Sequence, residues 1–242
     1  MIRSATASIR SALLRTCVYS DGACLCGGRS LEELTPGGPC AVPTGMYAVV
    51  METRDRLIAA TQELLWARGY AATSPKDILA AADAGQGSMY HHFRGKEELA
   101  VAALKQSAQG MRTDAEQLLT GPGTAVERLE GYLRRQRDSL RGCRMGRMTF
   151  DPDVIASPSL LEPVTSTLGW LVDALAAVIQ EGVDAGELAA DVRPVPLAST
   201  MAAVVQGGYV LARAQADTDP FDAAIDGAVD LLQRAVAGRE TR

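Results

Sequence analysis

Gln86, Gly87, Ser88, Met89, Tyr90, His91, His92 and Phe93 follow one another in this chain, and Lys96 comes three positions later. Coiled as a helix, the run sets Met89 and Phe93, four apart, on one side. Gln86, Ser88, Tyr90, His91 and His92 are left outward as a row of hydrogen-bonding groups. A helix that keeps its apolar side on a partner and presents such a row matches the base edges in a DNA major groove. Gly87 allows close backbone approach, and the unpaired amides of a first helical turn are phosphate ligands.

Other chemistries find less support. His91 and His92 are adjacent, so on a helix they point about a hundred degrees apart, and no Cys or carboxylate cluster joins them. Metal binding is not expected, nor is any cofactor. Cys143 stands beside Arg144 and near Arg147. Arginines aimed at the sulfur would lower the thiol pKa and suit a redox sensor, whereas a buried, inert thiol is the plainer reading. Cys17, Cys24, Cys26 and Cys40 have the spacing of neither a zinc ribbon nor a Cys-x-x-Cys pair. No motif joins a nucleophile to a base and an orienting acid, so an enzyme is not expected. Arg134, Arg135, Arg137 and Arg141 read as a solvated helix face paired with Glu127, Glu130 and Asp138.

A reading helix needs a partner helix and a tight turn. Ser74-Pro75 is a cap followed by Pro at the first helical position, and Asp77 completes a near capping box. Ile78, Leu79, Ala81 and Ala82 supply that helix's apolar side. The spacing therefore predicts a helix-turn-helix over residues 74–93. Before it, Leu57, Ile58, Ala60, Thr61, Leu64 and Leu65 form one 3.6-residue stripe that stops at Gly69. Further starts are expected at Thr124 with Glu127, at Ser157-Pro158 and at Asp219-Pro220. Three later stripes alternate steps of four and three residues: Val164, Leu168, Leu171, Leu175, Val178; Leu197, Met201, Val204, Gly208, Leu211; and Phe221, Ile225, Ala228, Leu232, Ala235. Gly207, Gly208, Ala224 and Ala228 would let another helix approach closely, as at a dimer interface. Trp170, Phe150, Met148, Met201 and Tyr209 could line a cavity, although such residues are more often core.

Residues 51–99 resemble the N-terminal domain of the TetR-type repressor family. The resemblance rests on the first helix ending in Gly69-Tyr70, on Thr73-Ser74, Asp77-Ile78, the run from Gly87 through Phe93, and Lys96, Glu97, Glu98 and Leu99. It implies that Thr73 and Tyr90 touch phosphates, that Gln86, Gly87, Ser88 and His91 face the groove, that His92 anchors or contacts the backbone, and that Lys96 grips it from the next helix. Asp83 stands where the family usually has a turn Gly, and Gly85 where it commonly has a Ser cap. The resemblance also implies a homodimer paired through the last two helices, near residues 196–215 and 220–237, on a near-palindromic operator, with a small-molecule inducer bound in the core.

The 242 residues, 47% hydrophobic but only 5% aromatic, suit close-packed helices built from Ala, Leu and Val. The expected fold is all-α: residues 1–50 an extension without fold, rich in Gly and Pro over 22–45; residues 51–99 the DNA-binding domain; residues 100–242 a helical ligand-binding and dimerisation bundle. Met51, just before the first periodic helix, is the expected start of the working chain. A net charge of −5 excludes a protein that coats nucleic acid through a broad basic surface. The apolar run at 197–212 is broken by Ser199, Thr200, Gln206, Gly207 and Gly208, so no membrane partner is expected and the cytoplasm is the expected setting. A helical protein-interaction module without DNA binding is the alternative, supported by Asp83 and the acidic balance.

Overall fold

A computed structural model describes residues 18–20, 23–25 and 52–237, and among the described residues ten helices lie between residues 52 and 237. They are α1 Thr53–Arg68, α2 Pro75–Ala81, α3 Gln86–His92, α4 Lys96–Leu119, α5 Ala125–Arg134, α6 Arg144–Met148, α7 Pro152–Ala156, α8 Pro158–Asp184, α9 Pro194–Gln215 and α10 Asp219–Arg234. The expected starts at Ser74, Thr124 and Ser157 are N-caps, the first two closed as full capping boxes. The start at Asp219 moves by one, because Thr218 is the N-cap and Pro220 the second helical residue.

The first unit of the chain contributes β1 Val18–Ser20 and β2 Ala23–Leu25, paired antiparallel with Tyr19 opposite Cys24. The sequence reading anticipated no strand there. Asp-Gly, the pair between the strands in sequence, is a residue type that two-residue hairpin links favour. The rest of the expectation for residues 1–50, including a start at Met51, lies outside the described residues.

Two apolar cores run through the second unit. One joins Leu57, Ile58, Ile78, Met89 and Leu99 to Met145, Met148, Val154 and Leu160. The other gathers Leu129, Leu133, Leu175, Ile179, Met201, Val205, Phe221, Ile225 and Leu232. Each fully buried Leu or Ile contributes roughly 2 kcal/mol. A domain division at 99/100 cuts α4, whose first half belongs to one core and whose end belongs to the other.

The stripes on α8 and α10 hold, with Leu171, Leu175 and Val178, and Phe221, Ile225, Ala228 and Leu232, buried. On α9 the face is turned: Ala198, Met201, Val205, Gly208, Tyr209 and Ala212 are inside, while Leu211 is 48% exposed. The small residues divide accordingly. A Cβ on Gly208 would stand 2.9 Å from Phe221 Cδ2, so Gly208 serves the α9–α10 crossing within the chain, as does buried Ala228. Gly207 faces outward with nothing within 4 Å. By length and composition alone α8 and α9 could cross a membrane, which the broken run at 197–212 did not suggest, and in this bundle α8 buries Leu171, Leu175 and Ile179, and α9 buries Met201 and Val205, in the second core.

The basic run is also rearranged. Helix α5 ends at Arg134, which pairs with Glu130 at 2.9 Å and Asp226 at 2.7 Å. Arg137 folds back to donate to the carbonyls of Leu133 (2.6 Å) and Tyr132 (2.6 Å), satisfying groups that the end of α5 leaves open. Arg141 and Arg144 stack on Trp66 of α1, 3.4 and 3.9 Å from the ring centre, and both bind Glu63. This run therefore ties α1 to the segment before α6, and is not one solvated face.

Candidate DNA-binding interface

Helices α2 and α3 are held as a unit by a few local devices. Ser74 Oγ accepts from the Asp77 amide, and the Asp77 carboxylate accepts from the Ser74 amide at 3.0 Å and from Arg68 at 2.8 Å. The turn bends at Asp83, whose φ of 47° is left-handed. Asp is among the few residues that accept this conformation. The Ala84 amide then closes on the Leu79 carbonyl at 3.0 Å, and Arg56 donates to the Asp83 carbonyl at 3.2 Å. Gly85 caps α3 without a side-chain bond. Met89 and Phe93 are buried against α1, as their spacing required.

What α3 leaves outside is the expected set. Gln86, Gly87, His91 and His92 are exposed, Ser88 is half-buried, and Tyr90 is 55% exposed. The side chains of Gln86, Ser88 and Tyr90 make no hydrogen bond among the described residues. The His91 and His92 rings touch edge to face, 4.9 Å between centres. Lys96 opens α4 with its ammonium 3.8 Å from the Tyr70 ring centre, and burial there holds it below the usual lysine range.

Thr73 does not belong to this set. It is 1% exposed, and its hydroxyl donates to the Gly69 carbonyl at 2.7 Å, so its one O–H is spent inside the turn between α1 and α2. Two residues enter that the sequence reading passed over. Tyr70 is the platform under Lys96. Lys76 sits exposed in the first turn of α2, where the helix dipole disfavours a cation. That misplacement was a readable sign of an expected anion. Lys76 also borders a groove of about 450 Å³ between α2 and α3, with Leu79, Gln86 and Tyr90.

Asp83 puts a carboxylate at the tip of the turn and a side chain on a left-handed backbone. Asp83→Gly is expected to raise stability by roughly 0.5 kcal/mol and to tighten DNA binding severalfold. Urea unfolding and a gel shift read the two effects. A less stable glycine protein would mean that Asp83 makes a net stabilising contact.

Behind the reading helices, Asp151 clamps the end of α1. Its Oδ2 accepts from the amides of Tyr70 (2.6 Å) and Ala71 (2.9 Å), and its Oδ1 from those of Asp153 (3.1 Å) and Val154 (3.4 Å). Gly69 permits this approach, since a Cβ there would lie 2.8 Å from Oδ2. Beside the clamp is a cavity of about 560 Å³ between the end of α1, α6, α8 and α9. Phe150 and Tyr209 line it, whereas Met148 and Met201 are core and Trp170 packs beside the second core. Cys143 also borders it, half-buried, its Sγ accepting from the Gly146 amide at 3.2 Å as the cap of α6. Burial pushes the Tyr209 phenol up to about 12, so it stands in the wall as a neutral group.

Comparison with known proteins agrees with this geometry over both halves. The family model "Bacterial regulatory proteins, tetR family" matches residues 57–103, and "Tetracyclin repressor-like, C-terminal domain" matches residues 124–228. The HTH-type transcriptional repressor DhaR of Mycobacterium sp. (strain GP1) is 26% identical over 172 residues, 70% of this chain and 86% of that protein. The HTH-type transcriptional repressor NemR of Escherichia coli (strain K12) is 29% identical over 99 residues, 38% of this chain and half of that protein. A TetR transcriptional regulator from Chloroflexus aurantiacus J-10-FL, solved as a crystal structure, superposes with a TM-score of 0.67 at 26% identity, over 76% of this chain and 96% of its own.

Proposed function

Because the chain belongs to the TetR family of bacterial regulatory proteins, and is a DNA-binding transcriptional regulator, we propose that it acts as a homodimeric repressor on a near-palindromic operator and is released by a small molecule. The observation that carries the reading is α3, whose Met89 and Phe93 are buried while Gln86, Gly87, Ser88, Tyr90 and His91 stand free to read a groove. Tyr90, His92, Lys96 and Lys76 are the phosphate and backbone contacts in this reading, and Thr73 orders the turn behind them. Regulation at DNA sets the protein in the bacterial cytoplasm.

Dimerisation has a surface suited to it. Ala203, Gly207 and Leu211 on α9, and Ala223, Gly227 and Leu231 on α10, are exposed at steps of four. Small residues in such rows let helices of a second copy pack ridge into groove. Gly208→Val is expected to cost about 2 kcal/mol of fold stability by driving into Phe221. Gly207→Val should leave the subunit folded but weaken the dimer at least tenfold in sedimentation. A Gly207→Val protein that stays fully dimeric would place the interface elsewhere.

Gel shift of the full chain against DNA flanking its coding region, and against random-sequence DNA under selection, tests the reading. A discrete, competitor-resistant complex supports a sequence-specific regulator, and failure of both moves the reading to the helical interaction module. On the selected site, Lys96→Ala should weaken binding evenly across sequences and lower the salt slope by roughly one unit per reading head. An unchanged slope removes Lys96 from the phosphate set.

A further inference from the structure

Three arginines, Arg68, Arg147 and Arg213, line the 560 Å³ cavity. Arg68 is committed to Asp77. The side chains of Arg147 and Arg213 have no hydrogen bond and no ion pair among the described residues, and Arg147 Nε is buried without an acceptor. Four other arginines share a buried Nε of this kind, but each has another guanidinium nitrogen on a carbonyl or a carboxylate. The one carboxylate in the wall is Asp151, 8% exposed, and its two oxygens already accept four backbone amides.

Two cations thus face one partly closed space whose single carboxylate, Asp151, is already engaged by backbone amides. Burial holds Arg147 below the usual arginine range and the Arg213 charge adds to the effect, together outweighing the attraction of Asp151. Such an arrangement is unfavourable when empty and favourable around an anion, since guanidinium groups pair with carboxylates in planar, often bidentate fashion. Phe150, 80% exposed, Leu168 and neutral Tyr209 give the remainder of the wall an apolar character. The volume suits a compact organic molecule.

We propose that this cavity receives a small organic acid, with Arg147 and Arg213 holding its carboxylate and Phe150 and Leu168 against its apolar body. The inference rests on the reading of the chain as a ligand-released regulator and names the ligand's class. Gly69 and Asp151 form the wall toward α1, so an occupant presses on the joint that carries the reading head.

The test is thermal unfolding and calorimetry of the full chain, without DNA, against benzoate, 4-phenylbutyrate and octanoate, each beside its neutral amide, with inorganic phosphate as a bare anion. Saturable binding is expected for at least one acid, with its amide and phosphate at least tenfold weaker, about the worth of one charge-assisted pair. Arg147→Gln and Arg213→Gln should each weaken that acid by roughly tenfold to a hundredfold, with the loss confined to acids. Amides that bind as well as acids, acids indifferent to both substitutions, phosphate alone binding, or no saturable binding by any acid overturns the inference. Since DNA is absent from this experiment, such a failure leaves the gel-shift test of the regulator reading untouched.

Discussion

Asp151→Ala is expected to lower the stability of the chain by about 3 kcal/mol, one of the largest costs for a single polar change in it. The carboxylate is 8% exposed and serves amides on both sides, Tyr70 and Ala71 after α1, and Asp153 and Val154 at the start of α7. Removing it strands three part-buried donors and the buried Val154 amide, a buried unpaired donor costing about 1–3 kcal/mol, with relief from water for the others. Asp151→Asn should recover less than half of the loss, because its amide nitrogen presents a donor to one of the two pairs of N–H groups. The urea midpoint should fall at constant slope. A loss under 1 kcal/mol, or full recovery by Asn, would show that the clamp does not hold α1 to α7.

The double substitution Tyr90→Ala with His91→Ala is expected to weaken operator binding by roughly a thousandfold, on the basis of about 1 kcal/mol per contact in each of two half-sites. Both residues lie on the outer side of α3 and give the core nothing: Tyr90 is 55% exposed and His91 is exposed. Unfolding stability should therefore stay within about 0.5 kcal/mol of the parent. Tyr90→Phe isolates the hydroxyl and should account for a minor share. Equal affinity in parent and double variant, with a normal melting curve, would take α3 out of the groove.

The reading head was legible because its signals are local. Ser74 with Asp77, the stop at Gly69, Met89 and Phe93 four apart, and an Asp able to take a left-handed turn each specify their own few residues. Thr73 was misread because its burial depends on a carbonyl four residues back and on the packing of α1 over α2. Periodicity failed on α9, where Leu197, Val204, Val210 and Leu211 compete with Ala198, Met201 and Val205. A helix apolar on most sides has no unique stripe, and the surplus is what a second subunit could cover. At five residues each, α6 and α7 are too short to show a period. Asp151-Pro152 carries the same cap-and-Pro signal as Ser74-Pro75 and was passed over, whereas its hold on the amides of Tyr70 and Ala71, about 80 residues away, leaves no local mark.

Two copies of α3 entering successive major grooves should leave their mark in methylation interference on the selected operator. Guanine N7 lies in the major groove, so the expected result is two symmetric clusters of interfering guanines about one duplex turn apart, roughly 10 base pairs centre to centre, and their loss of contrast with Gln86→Ala. Interference confined to one cluster, or to adenine N3 in the minor groove, would contradict it.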